Sequence, residues 1–196
     1  MIVLLNIVLM AQIAGDLQYD MDGTIRPRIT RCTTRCSVIL TPSGSDDTAT
    51  IQAALDNPAV SPICLSTGTG QTFRLSSPLV MSSGKSLTSY WSPAVISLPP
   101  YRSRTDPGFS TAVVVPDNTS SVSVSCLQID GGFPSGCIPS THPKFPDPSY
   151  NALVLVGSNV TNSTVSANTL RNPAGWTALQ WTFGGSGNSI ASNTID

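Results

Sequence analysis

The sequence predicts an all-β chain wound as a parallel solenoid and entered through one short helix. Three observations predict it. All eleven acidic residues are Asp, with no Glu; Asp suits turns and caps, whereas Glu suits helix interiors. Ser and Thr together supply 49 of the 196 residues, interleaved with Val, Ile and Leu, which is the composition of many short strands joined by turns. Finally, TVSANTLR at 164–171 repeats as SIASNTID at 189–196. A period in the twenties is that of a coil that buries its inner residues only by stacking on the next.

Length and charge set the outer limits. A chain of 196 residues is long enough for one domain with a sizeable core. Charged residues make up 11% and the net charge is −1. There is no basic face for nucleic acid and no acidic tail.

Taken in order, residues 1–15, MIVLLNIVLMAQIAG, form an apolar segment too short to span a bilayer comfortably. It reads as a signal peptide ending near Ala14 and Gly15, the alternative being a first strand of the mature fold. Residues 16–42 form an Arg-rich lead-in without periodicity, and residues 43–196 the solenoid domain. In SGSDDTATIQAALD the spacing predicts a helix: Asp46 or Asp47 stands at the N-cap, Ile51, Ala54 and Leu55 share one face, and Asn57-Pro58 ends it. Beside a helix N-terminus these carboxylates are structural.

Strands are then expected in ICLST, TFRLSSPLVMS, SLTSY, AVISL, TAVVVP, SVSVSCLQID, NALVLV, STVSANTL, WTALQWTF and NSIASNTI. In the repeat frame Val165 matches Ile190, Asn168 matches Asn193 and Leu170 matches Ile195, at an offset of 25. SVSCLQID fits the same frame at an offset of 41, Val124 standing with Val165 and Ile129 with Leu170. A Pro/Gly-rich insertion enlarges that turn. The recurring Asn suits left-handed turn geometry, and its amide can bond to its equivalent in the next coil.

The entry SGSDDTATIQAALD, followed by CLSTGTGQTFRLSSPLVMSSGKSLTSY, resembles that of the pectin-lyase-like right-handed β-helices, a group containing polygalacturonases, pectate lyases and phage tailspikes. The likeness covers roughly residues 43–196. It implies a right-handed single-stranded parallel β-helix whose first coil is closed by the helix. It says little of chemistry, since enzymes and non-enzymes share that fold. The polygalacturonase signatures borne on coils are missing: the one Asp-Asp is the cap, and the one histidine, His142, lies in THPK.

Candidate site residues follow from the frame. Asp130, Arg171 and Asp196 fall at one position of three coils, with two carboxylates about 10 Å apart at the usual strand spacing of roughly 4.8 Å. They are candidate catalytic residues, the alternative being a surface charge ladder. In WTALQWTF, alternation puts Leu179, Trp181 and Phe183 in the core and Trp176, Ala178 and Gln180 outside. Trp176 is a candidate platform for a sugar ring. His142, Lys144 and Tyr150, in the Pro-rich insertion, are candidate walls of a sugar groove, and Arg102 with Arg104 could meet carboxylates.

Of five cysteines, Cys126 and Cys137 flank a Gly-rich loop and are expected to pair. Cys32 and Cys36 pair with one another, or one of them with Cys64. Sequons at Asn118, Asn159 and Asn162 are glycosylation candidates. One His among these spacings argues against zinc. No cofactor is expected, calcium excepted if a pectate-lyase-like activity resides in further coils.

The functional expectation is a secreted or cell-surface protein acting on an extended, uronate-rich polysaccharide by glycosidic hydrolysis or β-elimination. The alternative is a non-catalytic adhesive or polysaccharide-binding solenoid. Nucleic acid and a membrane span are not expected. The strand pattern still running at Ile195-Asp196 is read as the N-terminal portion of a longer solenoid, or as an open coil through which chains self-associate.

Overall fold

A computed structural model describes residues 17–19, 25–27, 32, 35–66, 68, 71–100, 111–133, 152–173, 177–182 and 184–196. The chain forms two compact units, Met1–Arg31 and Cys32–Asp196. In the first, β1 (Leu17–Tyr19) pairs antiparallel with β2 (Ile25–Pro27), Gln18 opposite Arg26.

Among its described residues the second unit is strand-dominated, with three all-parallel sheets and one short helix, α1 (Thr48–Asp56). Sheet I contains β3 (Val38–Leu40), β4 (Ile63–Leu65), β7 (Ser86–Ser89), β10 (Ser123–Ser125), β13 (Thr164–Ser166) and β16 (Ser189–Ala191). Sheet II contains β5 (Phe73–Arg74), β8 (Ala94–Ser97), β11 (Leu127–Asp130), β14 (Thr169–Arg171) and β17 (Thr194–Ile195). Sheet III contains β6 (Leu79–Val80), β9 (Val113–Val115), β12 (Ala152–Val156) and β15 (Thr177–Trp181). From β4 onward the chain visits I, II and III in rotation, so each strand pairs with the strand one rung away. The architecture is parallel and solenoid-like.

Strand alternation fixes which residues face inward. In sheet I, Ile63, Leu87, Val124, Val165 and Ile190 form one register column. In sheet II the column is Phe73, Ile96, Ile129, Leu170 and Ile195. In sheet III it is Leu79, Val113, Val154 and Leu179. The first four residues of the first two columns, and the first three of the third, are buried in one core. Each contributes about 1.5–3 kcal/mol of apolar burial. In the last rung Ile190 and Ile195 are exposed. The equivalences read from the repeats, Val124 with Val165 and Leu170 with Ile195, are backbone pairings.

Several expected strands break in two at a corner. SVSVSCLQID turns from sheet I to sheet II at Cys126, with φ +59; STVSANTL does so at Ala167, φ +54, and NSIASNTI at Ser192, φ +55. The left-handed residue is therefore the one before the recurring Asn, which corrects the expectation that Asn itself takes that geometry. Asn168 and Asn193 hold the corner through their amides. Buried Asn168 accepts from the Leu127 N–H at 3.1 Å and donates to Val124 O at 3.0 Å and Asn193 Oδ1 at 2.9 Å.

Helix α1 buries Ile51 and Leu55 and is tied to the first rung by side chains. Asp46 lies opposite Arg74 in an isolated parallel bridge. Its Oδ1 accepts from the Thr48 N–H at 3.0 Å and the Thr48 hydroxyl at 2.6 Å, and Oδ2 accepts from the Ser76 hydroxyl at 2.6 Å. Asp47 occupies the N-cap position, yet its carboxylate makes no bond to the helix. It is buried and accepts from the N–H groups of Ser43 and Arg74, at 2.8 and 3.1 Å. The expected pair of capping carboxylates thus divides into one that satisfies the helix N-terminus and one that brackets it to β5. At the other end, buried Lys85 donates through Nζ to the carbonyls of Asn57 and Val60.

Two further expectations are corrected. Cys126 pairs with Cys32, not Cys137: its corner carries it to Cys32, with Cα atoms 5.8 Å apart. Cys36 pairs with Cys64, and Cys137 lies outside the described residues. Ala178, expected outside, is buried, while Leu179 and Trp181 pack against the core and Phe183 lies outside the described residues. Within residues 16–42, three short strands escape detection because none is long enough to show alternation.

Candidate functional site

In sheet II the inward Ile129 and Leu170 force their neighbours outward. Arg74, Ser97, Asp130 and Arg171 are register partners in one outward column. Asp196, following Ile195, takes the same position one rung on, its N–H donating to Leu170 O at 3.0 Å. A second outward column, two residues earlier, contains Val95, Gln128, Thr169 and Thr194. The structure therefore brings Asp130, Arg171 and Asp196 onto one face.

Their bonding is uneven. Arg171 Nε donates to Asp196 Oδ2 at 3.1 Å, with both side chains about half exposed. A pair so wetted contributes about 0–1 kcal/mol to stability. Asp130 takes other partners: its Oδ1 accepts from the Gly132 N–H at 2.9 Å and from Asn172 Nδ2 at 3.1 Å. Its Oδ2 meets no donor among the described residues. The expected three-member ladder is thus one ion pair beside a carboxylate oriented by an amide. Asn172 was missed, although standing one residue past Arg171 in the repeat it was within reach of the same frame.

Two long connections leave from sheet II strands in adjacent rungs. Residues 98–112 join β8 to β9 and residues 131–151 join β11 to β12, so both connect sheet II to sheet III in adjacent rungs. Arg102, Arg104, His142, Lys144 and Tyr150 belong to these connections, and Trp176 to the corresponding one in the next rung; all lie outside the described residues.

The arrangement offers acceptors at Asp130 and Asp196, donors at Arg171, and neutral groups at Gln128, Thr169 and Thr194. Hydroxyl-bearing ligands are held by such mixtures. Two strand spacings separate the carboxylate positions by about 10 Å, next to the roughly 6.5–9.5 Å of inverting glycosidases. Among the described residues no three His, Cys, Asp or Glu side chains group to hold a metal. Two Asp split by an Arg do not supply the six to eight oxygens calcium takes.

The sequons sit elsewhere, on the turns from sheet III to sheet I. Asn118, Asn159 and Asn162 are exposed there with φ of +59, +56 and +50. Asn159 Nδ2 donates to Asn118 Oδ1 at 3.4 Å. Among the described residues no helix is long and apolar enough to cross a membrane.

Comparison with known protein families, with curated proteins and with solved structures finds no match to this chain.

Proposed function

We propose that the chain is a secreted, carbohydrate-active protein built as a right-handed parallel β-helix of pectin-lyase-like kind, with α1 closing its first coil. Its outer sheet II face holds an extended polysaccharide and cleaves it by hydrolysis or β-elimination. One observation carries the reading: Asp130, Arg171 and Asp196 share an outward column at the corner from which both long insertions leave. A ladder of polar groups repeated along parallel strands suits a repeating, extended ligand, and hydroxyls are what such groups recognise.

Other features support the setting. Two disulfides favour an oxidising compartment, and the sequons stand on exposed turns. The helix entry supports the fold family through the bracket of Asp46 and Asp47 on the first rung.

In hydrolysis one carboxyl protonates the leaving oxygen while the other activates water, with Arg171 steering the charge that develops between them. The test is incubation of the full chain with a panel of extended polysaccharides. New reducing ends without ultraviolet absorbance support hydrolysis, and an unsaturated absorbing product supports elimination. Loss of either signal in Asp130→Asn ties it to this face. Neither signal on any polymer sinks the enzymatic reading.

The second reading is a non-catalytic binding module. It is favoured by the commitment of Arg171 to Asp196 and of Asp130 to Asn172, which fixes these groups as a static surface.

A further inference from the structure

The charges on the sheet II face discriminate between two kinds of polysaccharide. We propose that this face takes an uncharged, hydroxyl-rich glycan and not a uronate polymer, an inference that rests on reading the face as a polysaccharide site.

A uronate chain brings one carboxylate per sugar and needs cations spaced along the site. The outward column instead runs Asp46, Arg74, Ser97, Asp130, Arg171, Asp196. Each Arg is followed or preceded by an Asp, and three Asp against two Arg leave one net negative charge. Arg171 has its Nε on Asp196. The adjoining column offers only the neutral Gln128, Thr169 and Thr194. In sequence, the two insertions carry Arg102, Arg104 and Lys144 against Asp106 and Asp147, a net charge of one positive. A polyanion would have to displace Asp196 from Arg171 and approach Asp130 against like charge.

A neutral glycan meets no such conflict. Asp130, oriented by Gly132 and Asn172 through Oδ1, presents Oδ2 to a sugar hydroxyl. The terminal nitrogens of Arg171 and the side chains of Gln128 and Thr169 donate to others. The same inference selects the chemistry. β-Elimination requires a carboxylate beside C5 to acidify the departing proton, which a neutral sugar lacks. Hydrolysis remains: water adds to the anomeric carbon, the glycosidic C–O bond breaks, and the leaving oxygen takes the proton.

The test is affinity electrophoresis of the full chain at low salt. Gels contain xylan, mixed-linkage glucan or galactomannan on one side, and polygalacturonate or alginate on the other. Retardation of at least twofold by a neutral polymer, with unchanged mobility in the uronate gels, is the expected result. D196N, which removes the negative charge paired with Arg171, is expected to gain retardation in polygalacturonate and to lose it again at high salt. Wild-type retardation by uronate polymers alone overturns the inference while leaving the polysaccharide site standing. Free mobility in every gel overturns both. A D196N protein that still ignores polygalacturonate counts against the charge argument.

Discussion

Gln52 pairs with the backbone of Val80 as a strand would: Nε2 donates to Val80 O at 3.0 Å, and Oε1 accepts from the Val80 N–H at 2.9 Å. Val80 belongs to β6, the first strand of sheet III, which among the described residues has a strand partner only on its β9 side. The side-chain amide supplies the missing partner and docks α1 on that edge.

Replacing Gln52 by Ala removes these two bonds and a third, from Nε2 to Asp56 Oδ1 at 2.9 Å, all at an exposed edge, and a net loss of about 1 kcal/mol is expected. Gln52→Glu keeps the acceptor for the N–H but sets a carboxylate against the Val80 carbonyl, so it should not restore stability. Chemical denaturation reads the result as a lower midpoint at unchanged slope. An unmoved midpoint in Gln52→Ala would show that the Val80 edge adds nothing to the hold that Ile51, Leu55 and the Asp46 and Asp47 contacts have on α1.

Asp46 makes the junction sensitive to acid. The Ser76 hydroxyl, followed by the hydroxyl and N–H of Thr48, stabilises its carboxylate and lowers its pKa from 3.8 to about 2. A depressed folded-state pKa contributes stability that is present above the unfolded value and lost as pH falls through the folded one. The contribution is therefore complete above about pH 4 and disappears by about pH 2. Asp46→Asn cannot titrate. Its stability deficit relative to the parent should shrink across that window, and a constant deficit would remove Asp46 as the titrating group.

Asn168 is the polar residue on which the corner most depends. With 1% exposure it serves the Leu127 N–H, Val124 O and Asn193 Oδ1. Asn168→Leu leaves the buried Leu127 N–H without its acceptor, at about 1–3 kcal/mol, and also removes the amide donor to Val124 O. Asn193, which is only partly buried, should tolerate the same change better. Comparing the two midpoints checks the ordering, and equal losses would refute it.

The register of the last rungs was legible because Val165, Leu170 and their repeats occupy identical strand positions on either side of the corner, and periodicity reports stacking directly. The corners themselves were not legible. Cys126, Ala167 and Ser192 take left-handed geometry at single positions where residue type gives no warning, because the turn from sheet I to sheet II, which recurs in each rung, requires it. The outward column was visible through Asp130 and Arg171, whereas its bonding was not: choosing Asn172 or Arg171 as partner for Asp130 depends on side-chain direction, which spacing does not encode. Cys32 and Cys126 stand 94 residues apart, so no local pattern connects them.

Those long separations rank the two disulfides. On the loop-entropy model, closing 28 residues through Cys36–Cys64 is worth about 3.6 kcal/mol and closing 94 through Cys32–Cys126 about 4.7 kcal/mol. Cys32–Cys126 also ties the segment before β3 to the corner between β10 and β11, three rungs from where that segment enters sheet I. Replacing Cys32 and Cys126 together by Ser should therefore lower the denaturation midpoint more than replacing Cys36 and Cys64. It should also expose the β10–β11 corner, whose amides hydrogen exchange reports. If the Cys36/Cys64 variant proves the less stable, local strand pairing of β3 with β4, and not loop closure, is what the bridges protect.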